Sequence, residues 1–178
     1  MNLPNSLTVL RIILIPFFVG FLIYGHYGLA LLTLIVAGIT DILDGVIARM
    51  ANQRTKLGAY LDPLADKLLL TSAFVTLSIL HLVPIWVAII VLSRDLIIIV
   101  GTLLLYVTET PLEVVPTVLG KVATLAQLLY LGLALVFIYL QRDRALLIPL
   151  LAIMLVLTVV SGLQYVYRGI RAYHPDLV

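Results

Sequence analysis

The sequence predicts an all-α integral membrane protein: a bundle of six transmembrane helices with a short interfacial segment at its N-terminus. Hydrophobic residues make up 63% of the 178 residues, charged residues make up only 11%, and the mean hydropathy is +1.21. A soluble domain of this length has too little interior to bury so many apolar side chains, whereas a lipid bilayer accommodates them. We therefore expect one membrane-embedded domain over residues 1–178.

Six apolar segments, each long enough to cross a bilayer as a helix, alternate with short polar connections. The predicted spans are Leu7–Tyr24, Leu29–Met50, Gly58–Leu82, Pro84–Val107, Gly120–Leu140 and Leu146–Tyr167, after an interfacial lead-in at residues 1–6. An even number of spans places both termini on one side of the membrane. That side carries most of the basic residues, and the positive-inside rule assigns it to the cytoplasm.

Composition excludes several classes of function. The chain has no cysteine, so disulfide bonds and thiolate metal sites are excluded. Its net charge is only +2 and its basic residues form no run, which argues against a nucleic-acid partner.

Four aspartates lie close together in a chain that is otherwise almost wholly apolar: Asp41, Asp44, Asp62 and Asp66. On helices, the first two share a face at a spacing of three residues, and the last two share a face at a spacing of four. Clustered carboxylates repel one another and are costly to bury, and hard divalent cations with oxygen ligands relieve this. The alternative, helix-end carboxylates that face water, suits one aspartate better than four.

The stretch from Asp41 to Asp66 reads Asp-x2-Asp-Gly-x2-Ala-Arg-x8-Gly-x3-Asp-x3-Asp. This pattern is the signature of the CDP-alcohol phosphotransferases, and the chain resembles that family at every fixed position and over nearly its whole length. The resemblance implies an enzyme of phospholipid biosynthesis that transfers a phosphatidyl group from CDP-diacylglycerol to an acceptor hydroxyl and releases CMP. It also implies a homodimer. Both acidic pairs lie near the cytoplasmic ends of their predicted helices, so we expect the active site to face the cytosol from the cytoplasmic membrane.

The same resemblance implies roles for the residues of the motif. The four aspartates would bind a pair of divalent cations, Mg²⁺ or Mn²⁺, and Asp66 would also be the general base. Gly45 and Ala48 resemble the floor of the cytidine pocket, and Gly58 leaves further room for the CDP-lipid. Arg49 resembles a partner for the nucleotide's phosphates or a clamp on a carboxylate; alternatively, it anchors its helix as a positive-inside residue.

The N-terminal residues Asn5, Thr8 and Arg11 match the Asn-x2-Thr-x2-Arg opening of the family's glycerolipid branch. Their spacing can direct all three side chains at one target, such as the phosphates of the CDP-lipid donor. A helix N-cap followed by an arginine that snorkels to the membrane surface explains the same residues equally well.

Further charged residues are candidates for binding the acceptor. Arg94 lies too deep in its span to reach the membrane surface easily, and Asp95 beside it would orient it or neutralise its charge. Lys121 and Arg168 lie at the cytoplasmic ends of their spans, where each either binds an acceptor phosphate or anchors its helix. Lys67 follows the general base but points about 100° away from it on a helix, which indicates an interfacial anchor.

Two acceptors remain open within the glycerolipid branch: glycerol 3-phosphate, which gives phosphatidylglycerophosphate, and phosphatidylglycerol, which gives cardiolipin. Enzymes that use glycerol 3-phosphate usually carry Gly-Lys-x-Lys in the fifth span, but this chain has Ala123 in place of the second lysine. We favour glycerol 3-phosphate, because Arg94, Lys121 and Arg168 can still bind one phosphate. Inositol phosphate is a weaker option.

An ion-coupled transporter is the alternative from a different class, because intramembrane carboxylates also mark ion pathways. Such proteins place charges near the midplane and often show inverted repeats. Here the aspartates cluster at one membrane face and the sequence shows no repeat, so an enzyme is favoured.

Overall fold

The computed structural model describes residues 3–50, 56–107 and 117–173, and these ranges hold helices and turns but no strand. Within them, the side chains of residues 3–5, 42, 44–50, 56–64, 105–107 and 172–173 are not described. The α helices are α1 (Leu3–Ile23), α2 (Tyr27–Met50), α3 (Lys56–Ile79), α4 (Ile85–Val107), α5 (Val118–Tyr139) and α6 (Ile148–Tyr173). A short 3-10 helix, Arg144–Leu147, precedes α6. The predicted all-α class is confirmed for this part of the chain.

Four of the described stretches are long and apolar enough to cross a membrane: Ser6–Ile23, Ile85–Leu104, Val118–Tyr139 and Arg144–Arg171. Helix α2 contributes the shorter apolar stretch Tyr27–Asp41, whose last residue is the first aspartate of the helix. Many large apolar side chains, among them Phe17, Ile89 and Leu163, are exposed on the outside of the bundle. This is the pattern expected where lipid replaces water around a helical protein.

The predicted helix boundaries are wrong mainly at the two ends of the chain. Helix α1 begins at Leu3, so residues 3–6 of the expected lead-in belong to the helix. Pro4 lies in the first turn, where backbone N–H groups have no acceptor within the helix, so the missing N–H of proline costs no hydrogen bond. Helix α6 continues past the expected end at Tyr167 to Tyr173.

Tight turns end α1, α3 and α5 and fold each of these helices against its successor. Gly25, at φ +74°, follows α1 and donates its N–H to the Leu22 carbonyl at 3.1 Å. His81 and Gln141 follow α3 and α5 with φ values of 55° and 53°. A left-handed residue at this position turns the chain out of a helix while satisfying its last carbonyls, although a side chain there costs about 1 kcal/mol. These turns make three antiparallel helix pairs.

The helices pack as a ring in the order α1, α2, α5, α6, α4 and α3, with α3 returning to α1. The apolar core inside this ring includes Phe18, Leu34, Phe74 and Leu131. Phe74 of α3 stacks on Tyr130 of α5 with their ring centroids 6.4 Å apart. This core fills the half of the bundle near the tight turns, and the small polar side chains Thr33, Thr76 and Ser78 are buried in the same half.

Candidate active site

Three charged side chains from α1, α2 and α3 meet near the middle of the bundle, in the half where the chain begins. Arg11 of α1 places Nη2 at 2.9 Å from Asp41 Oδ1 and Nη1 at 2.7 Å from Asp66 Oδ1. The arginine is fully buried, whereas each aspartate side chain is 45% exposed. We call these three residues the acidic centre, because two carboxylates surround a single cation.

Helix periodicity explains how Arg11 reaches this position. Thr8, Arg11, Phe18 and Leu22 are all fully buried, and their spacings of three, seven and four residues place them on one stripe of α1. Phe18 and Leu22 of this stripe pack into the apolar core. Because Arg11 lies on the same face of α1, its side chain also points into the bundle. The snorkelling interpretation of Arg11 is therefore wrong.

The acidic centre has the chemistry of a site for a hard divalent cation. Its acceptor atoms are carboxylate oxygens, the donor type that Mg²⁺ and Mn²⁺ prefer. Both carboxylates are bound by Arg11 from the buried side and are half-exposed on the other, which gives a cation a side from which to approach. Asp44 and Asp62 lie on α2 and α3, but their side chains fall outside the described residues.

A second group of charges, which we call the basic network, consists of Lys67, Arg94 and Asp95. Asp95 Oδ1 accepts from Arg94 Nη1 at 2.7 Å and also from Lys67 Nζ. The Arg94 and Asp95 side chains are each 6% exposed, and that of Lys67 is 30% exposed. Two cations share one carboxylate, so this group carries an excess positive charge.

Arg94 extends the basic network to α5 and α6. Its Nε donates to Ser161 Oγ at 3.1 Å, and its Nη2 donates to the Gly120 carbonyl at 3.2 Å. A Cβ at Gly120 would lie 3.3 Å from Arg94 Nη2, and a Cβ at Gly162 would lie 3.4 Å from Arg94 Cγ. Glycine at position 120 therefore lets the guanidinium pack against the backbone of α5, whereas a methyl group at position 162 would make only an ordinary contact with Arg94.

The expectations for the basic residues have mixed outcomes. The expected contact between Arg94 and Asp95 is confirmed. Lys67 is not merely an interfacial anchor, because it pairs with Asp95 across α3 and α4. Lys121 and Arg168 are exposed, so the structure does not gather them with Arg94 inside the bundle.

Several other predicted site residues cannot be placed by their side chains. Asn5 lies in the first turns of α1, and Gly58 lies in the first turn of α3. The surroundings of Asn5, Gly45, Ala48, Arg49 and Gly58 are not described.

Reasoning from the sequence missed the part played by Lys67, Ser161 and the Gly120 carbonyl. One available signal was Asp95 itself, because a carboxylate in the middle of an apolar helix requires cationic or hydrogen-bonding partners. Lys67 was the nearest unassigned cation on a neighbouring span. Nothing in the sequence distinguished Ser161 from other small polar residues in α6.

The sequence is similar to a known protein family and to several of its members. Residues 1–164 match the sequence profile of the family described as CDP-alcohol phosphatidyltransferase. A Mycobacterium tuberculosis protein named "Probable phosphatidylglycerophosphate synthase" is 36% identical over 177 residues, which cover 96% of this chain and 82% of that protein. A Haemophilus influenzae protein named CDP-diacylglycerol–glycerol-3-phosphate 3-phosphatidyltransferase is 40% identical over 172 residues, or 92% of this chain and 91% of that protein.

The similarity also reaches proteins with a different acceptor in their names. A Drosophila melanogaster protein named "Probable cardiolipin synthase (CMP-forming)" is 36% identical over 151 residues. That match covers 76% of this chain but only 47% of the insect protein.

Proposed function

The chain belongs to the CDP-alcohol phosphatidyltransferase family, and we propose that it transfers the phosphatidyl group of CDP-diacylglycerol to a hydroxyl of a glycerol-type acceptor, releasing CMP. The observation that supports this most is the acidic centre, in which Asp41 and Asp66 come together from two helices. Both residues are fixed positions of the family's signature. The product is a phospholipid of the membrane in which the enzyme resides.

Asp41, Asp44, Asp62 and Asp66 would hold two divalent cations, Mg²⁺ or Mn²⁺. When bound, such cations neutralise the negative charge that develops on the phosphoryl group and on departing CMP. The exposed sides of Asp41 and Asp66 support this assignment, because Arg11 binds both carboxylates from the buried side.

Asp66 is the proposed general base. It takes the proton of the acceptor hydroxyl while that oxygen bonds to the lipid-side phosphorus of CDP-diacylglycerol. The bond between this phosphorus and the bridging oxygen breaks, and CMP leaves with the electron pair. Arg11 fixes the direction of the Asp66 carboxylate through its 2.7 Å contact with Oδ1, as a base must be aimed at the proton that it removes.

The CDP-lipid would lie against the motif residues of α2 and the first turns of α1 and α3. Gly45, Ala48 and Gly58 provide room for it, and Arg49 binds its phosphates. Asn5 and Thr8 are its further candidate ligands from α1, whereas Arg11, the third residue of that motif, is already bound to Asp41 and Asp66.

Arg94, Lys121 and Arg168 are the proposed ligands of the acceptor, which we take to be glycerol 3-phosphate. The excess positive charge of the basic network supports an anionic acceptor, because Asp95 offsets only one of its two cations. Lys121 is exposed on α5, one residue after Gly120, whose carbonyl accepts from Arg94.

Phosphatidylglycerol is the second candidate acceptor, and the reaction would then be that of a cardiolipin synthase. Ala123 of α5 is fully buried, so this position supplies no charge where a lysine would add one beside the bundle interior. A bulkier acceptor with a phosphodiester in place of a phosphate dianion needs fewer cations.

Six membrane spans, with both termini and the active site at the cytosolic face of the cytoplasmic membrane, complete the proposal. The positions of Arg11, Asp41 and Asp66 support it, because antiparallel α1, α2 and α3 bring all three side chains into the half of the bundle where α1 begins. We further propose a single domain over residues 1–178 that acts as a homodimer, which chemical cross-linking in membranes would test.

The experiment is an assay of the purified protein with CDP-diacylglycerol and Mg²⁺, offering glycerol 3-phosphate or phosphatidylglycerol separately. We expect CMP and phosphatidylglycerophosphate with the first acceptor, and no CMP when a chelator replaces Mg²⁺. Cardiolipin formed with the second acceptor alone would establish the second candidate instead. The absence of CMP with either acceptor would contradict the enzyme and favour an ion-coupled transporter.

A further inference from the structure

Arg11 is fully buried between the apolar residues Leu10 and Ile12, and its contacts include carboxylates of two other helices. A buried guanidinium requires anionic or hydrogen-bonding partners, because the desolvation of its charge is otherwise uncompensated. The contacts at 2.9 Å and 2.7 Å to Asp41 and Asp66 supply them. The buried position of Arg11 in α1 therefore depends on Asp41 of α2 and Asp66 of α3.

The two aspartates depend on Arg11 in the same way. Their Oδ1 atoms each lie within hydrogen-bond distance of one guanidinium, so the carboxylates are held close to each other. Like charges at such a spacing repel, and a cation between them offsets that repulsion. Arginine suits this position because its planar group offers two separate N–H directions, whereas lysine offers a single point charge.

We propose that Arg11 is the internal counter-cation of the acidic centre: a positioning residue that keeps Asp41 and Asp66 together when no divalent cation is bound. This inference rests on the proposed function, since it concerns the carboxylates assigned to the metal site. A divalent cation approaching from the exposed side meets carboxylates that are already partly neutralised. Arg11 therefore stabilises the metal-free protein most and reduces the additional stability that the metal provides.

Thermal unfolding of the full chain in detergent tests this, with Arg11→Met compared in EDTA and in Mg²⁺. In EDTA we expect the apparent Tm of Arg11→Met to fall by about 5 °C, because two half-exposed carboxylates then repel each other with no cation between them. In Mg²⁺ the loss should be less than half as large, because the metal takes over the neutralisation. Arg142→Met is the matched control, since Arg142 is exposed in a turn at the other end of the bundle, and it should change the Tm little in either buffer.

A double-mutant cycle of Arg11 and Asp41 separates charge neutralisation by Arg11 from simple packing. Asp41→Asn removes one of the two carboxylates, so Arg11→Met should lower the Tm less in that background than in the native chain. Arg11→Lys should lie between the native chain and Arg11→Met in EDTA. If Arg11→Met alone fails to fold, the double variant Arg11→Met/Asp41→Asn should recover folded protein, because it restores the net charge of the centre.

Equal losses of Tm in EDTA and Mg²⁺, or a double variant that remains unfolded, would overturn the inference and leave Arg11 a packing residue. An unchanged Tm together with a raised KM for CDP-diacylglycerol would overturn it in favour of a donor-binding role. CMP release by the native chain is measured in the same preparations. Its absence would contradict the proposed function, while the Tm comparison in EDTA still tests the pairing of Arg11 with its carboxylates.

Discussion

Arg11 and Arg94 are both buried in apolar helices, yet their surroundings differ in sign. Arg11 lies between two half-exposed carboxylates from other helices, so its group has an excess of negative charge. Arg94 shares the carboxylate of its own neighbour Asp95 with Lys67, so its group has an excess of positive charge. The same residue type thus lies in a negatively charged group in one place and in a positively charged group in the other.

This difference matches what the proposed reaction requires on its two sides. The CDP-lipid side needs negative groups that gather divalent cations, and the acceptor side needs positive groups for a phosphate. Asp66 and Lys67 are neighbours in α3 and contribute one residue to each group. Helix α3 is therefore the element that couples the two, and substitutions on either side of it should separate donor effects from acceptor effects.

The largest effect is expected at the acidic centre. Asp66→Asn should lower kcat by at least about 100-fold, because the general base is lost while the side chain keeps its shape. Binding of CDP-diacylglycerol, measured as its effect on the Tm, should remain. Asp143→Asn is the control: Asp143 caps the 3-10 helix at the other end of the bundle, and asparagine caps equally well. Strong residual turnover in Asp66→Asn would exclude Asp66 as the base.

At the basic network, Arg94→Met should raise the KM for glycerol 3-phosphate by about tenfold to 100-fold, the range for losing a hydrogen bond to a charged group. The KM for CDP-diacylglycerol should change much less. Steady-state kinetics with each substrate varied in turn measures both, and Arg142→Met serves as the exposed control. Equal increases in the two KM values would make Arg94 part of the scaffold.

Substitution of Asp95 should destabilise the protein more than substitution of its partner Lys67. Asp95→Asn leaves two buried or half-buried cations without their shared carboxylate, and we expect the apparent Tm to fall by about 10 °C. Lys67→Met keeps the pair of Arg94 and Asp95, and Lys67 is partly exposed, so a fall of only a few degrees is expected. A larger decrease in Tm for Lys67→Met than for Asp95→Asn would contradict the central position of Asp95 in the network.

The smallest effects are expected at the glycines beside Arg94. A methyl group at Gly120 would lie 3.1 Å from Thr117 Oγ1 and 3.3 Å from Arg94 Nη2, whereas one at Gly162 meets Arg94 Cγ at an ordinary 3.4 Å. Gly120→Ala should therefore shift the guanidinium and raise the acceptor KM by about twofold to fivefold. Gly162→Ala is the matched control and should leave the KM unchanged; an equal effect at both glycines would show that Arg94 adapts to either.

Much of the fold followed from composition and spacing. Apolar stretches and the turn residues between them located the helices to within a few residues, because lipid requires every spanning segment to satisfy its own backbone hydrogen bonds. The end of α1 was visible in Gly25, a residue suited to a positive φ. The ends of α3 and α5 were less visible, because His81 and Gln141 adopt the same conformation without being glycine.

The site was predictable where its residues lie close in sequence and unpredictable where they do not. The spacing from Asp41 to Asp66 identified the acidic residues, since helix periodicity and a family signature both act over short distances. Arg11 was predicted to be a site residue, but its partners lie on other helices, and only packing assigns them. Lys67 was misjudged for the same reason, because its partner Asp95 lies on α4.

The most direct test of the central claim is the release of CMP from CDP-diacylglycerol by the native chain, with Mg²⁺ and either glycerol 3-phosphate or uncharged glycerol as acceptor. The charge difference between the two regions predicts metal-dependent CMP release with glycerol 3-phosphate, an equal amount of phosphatidylglycerophosphate, and much slower release with glycerol. Equal rates with both acceptors would contradict a phosphate-binding role for the basic network. CMP release that persists in EDTA would contradict the assignment of the acidic centre to a divalent cation.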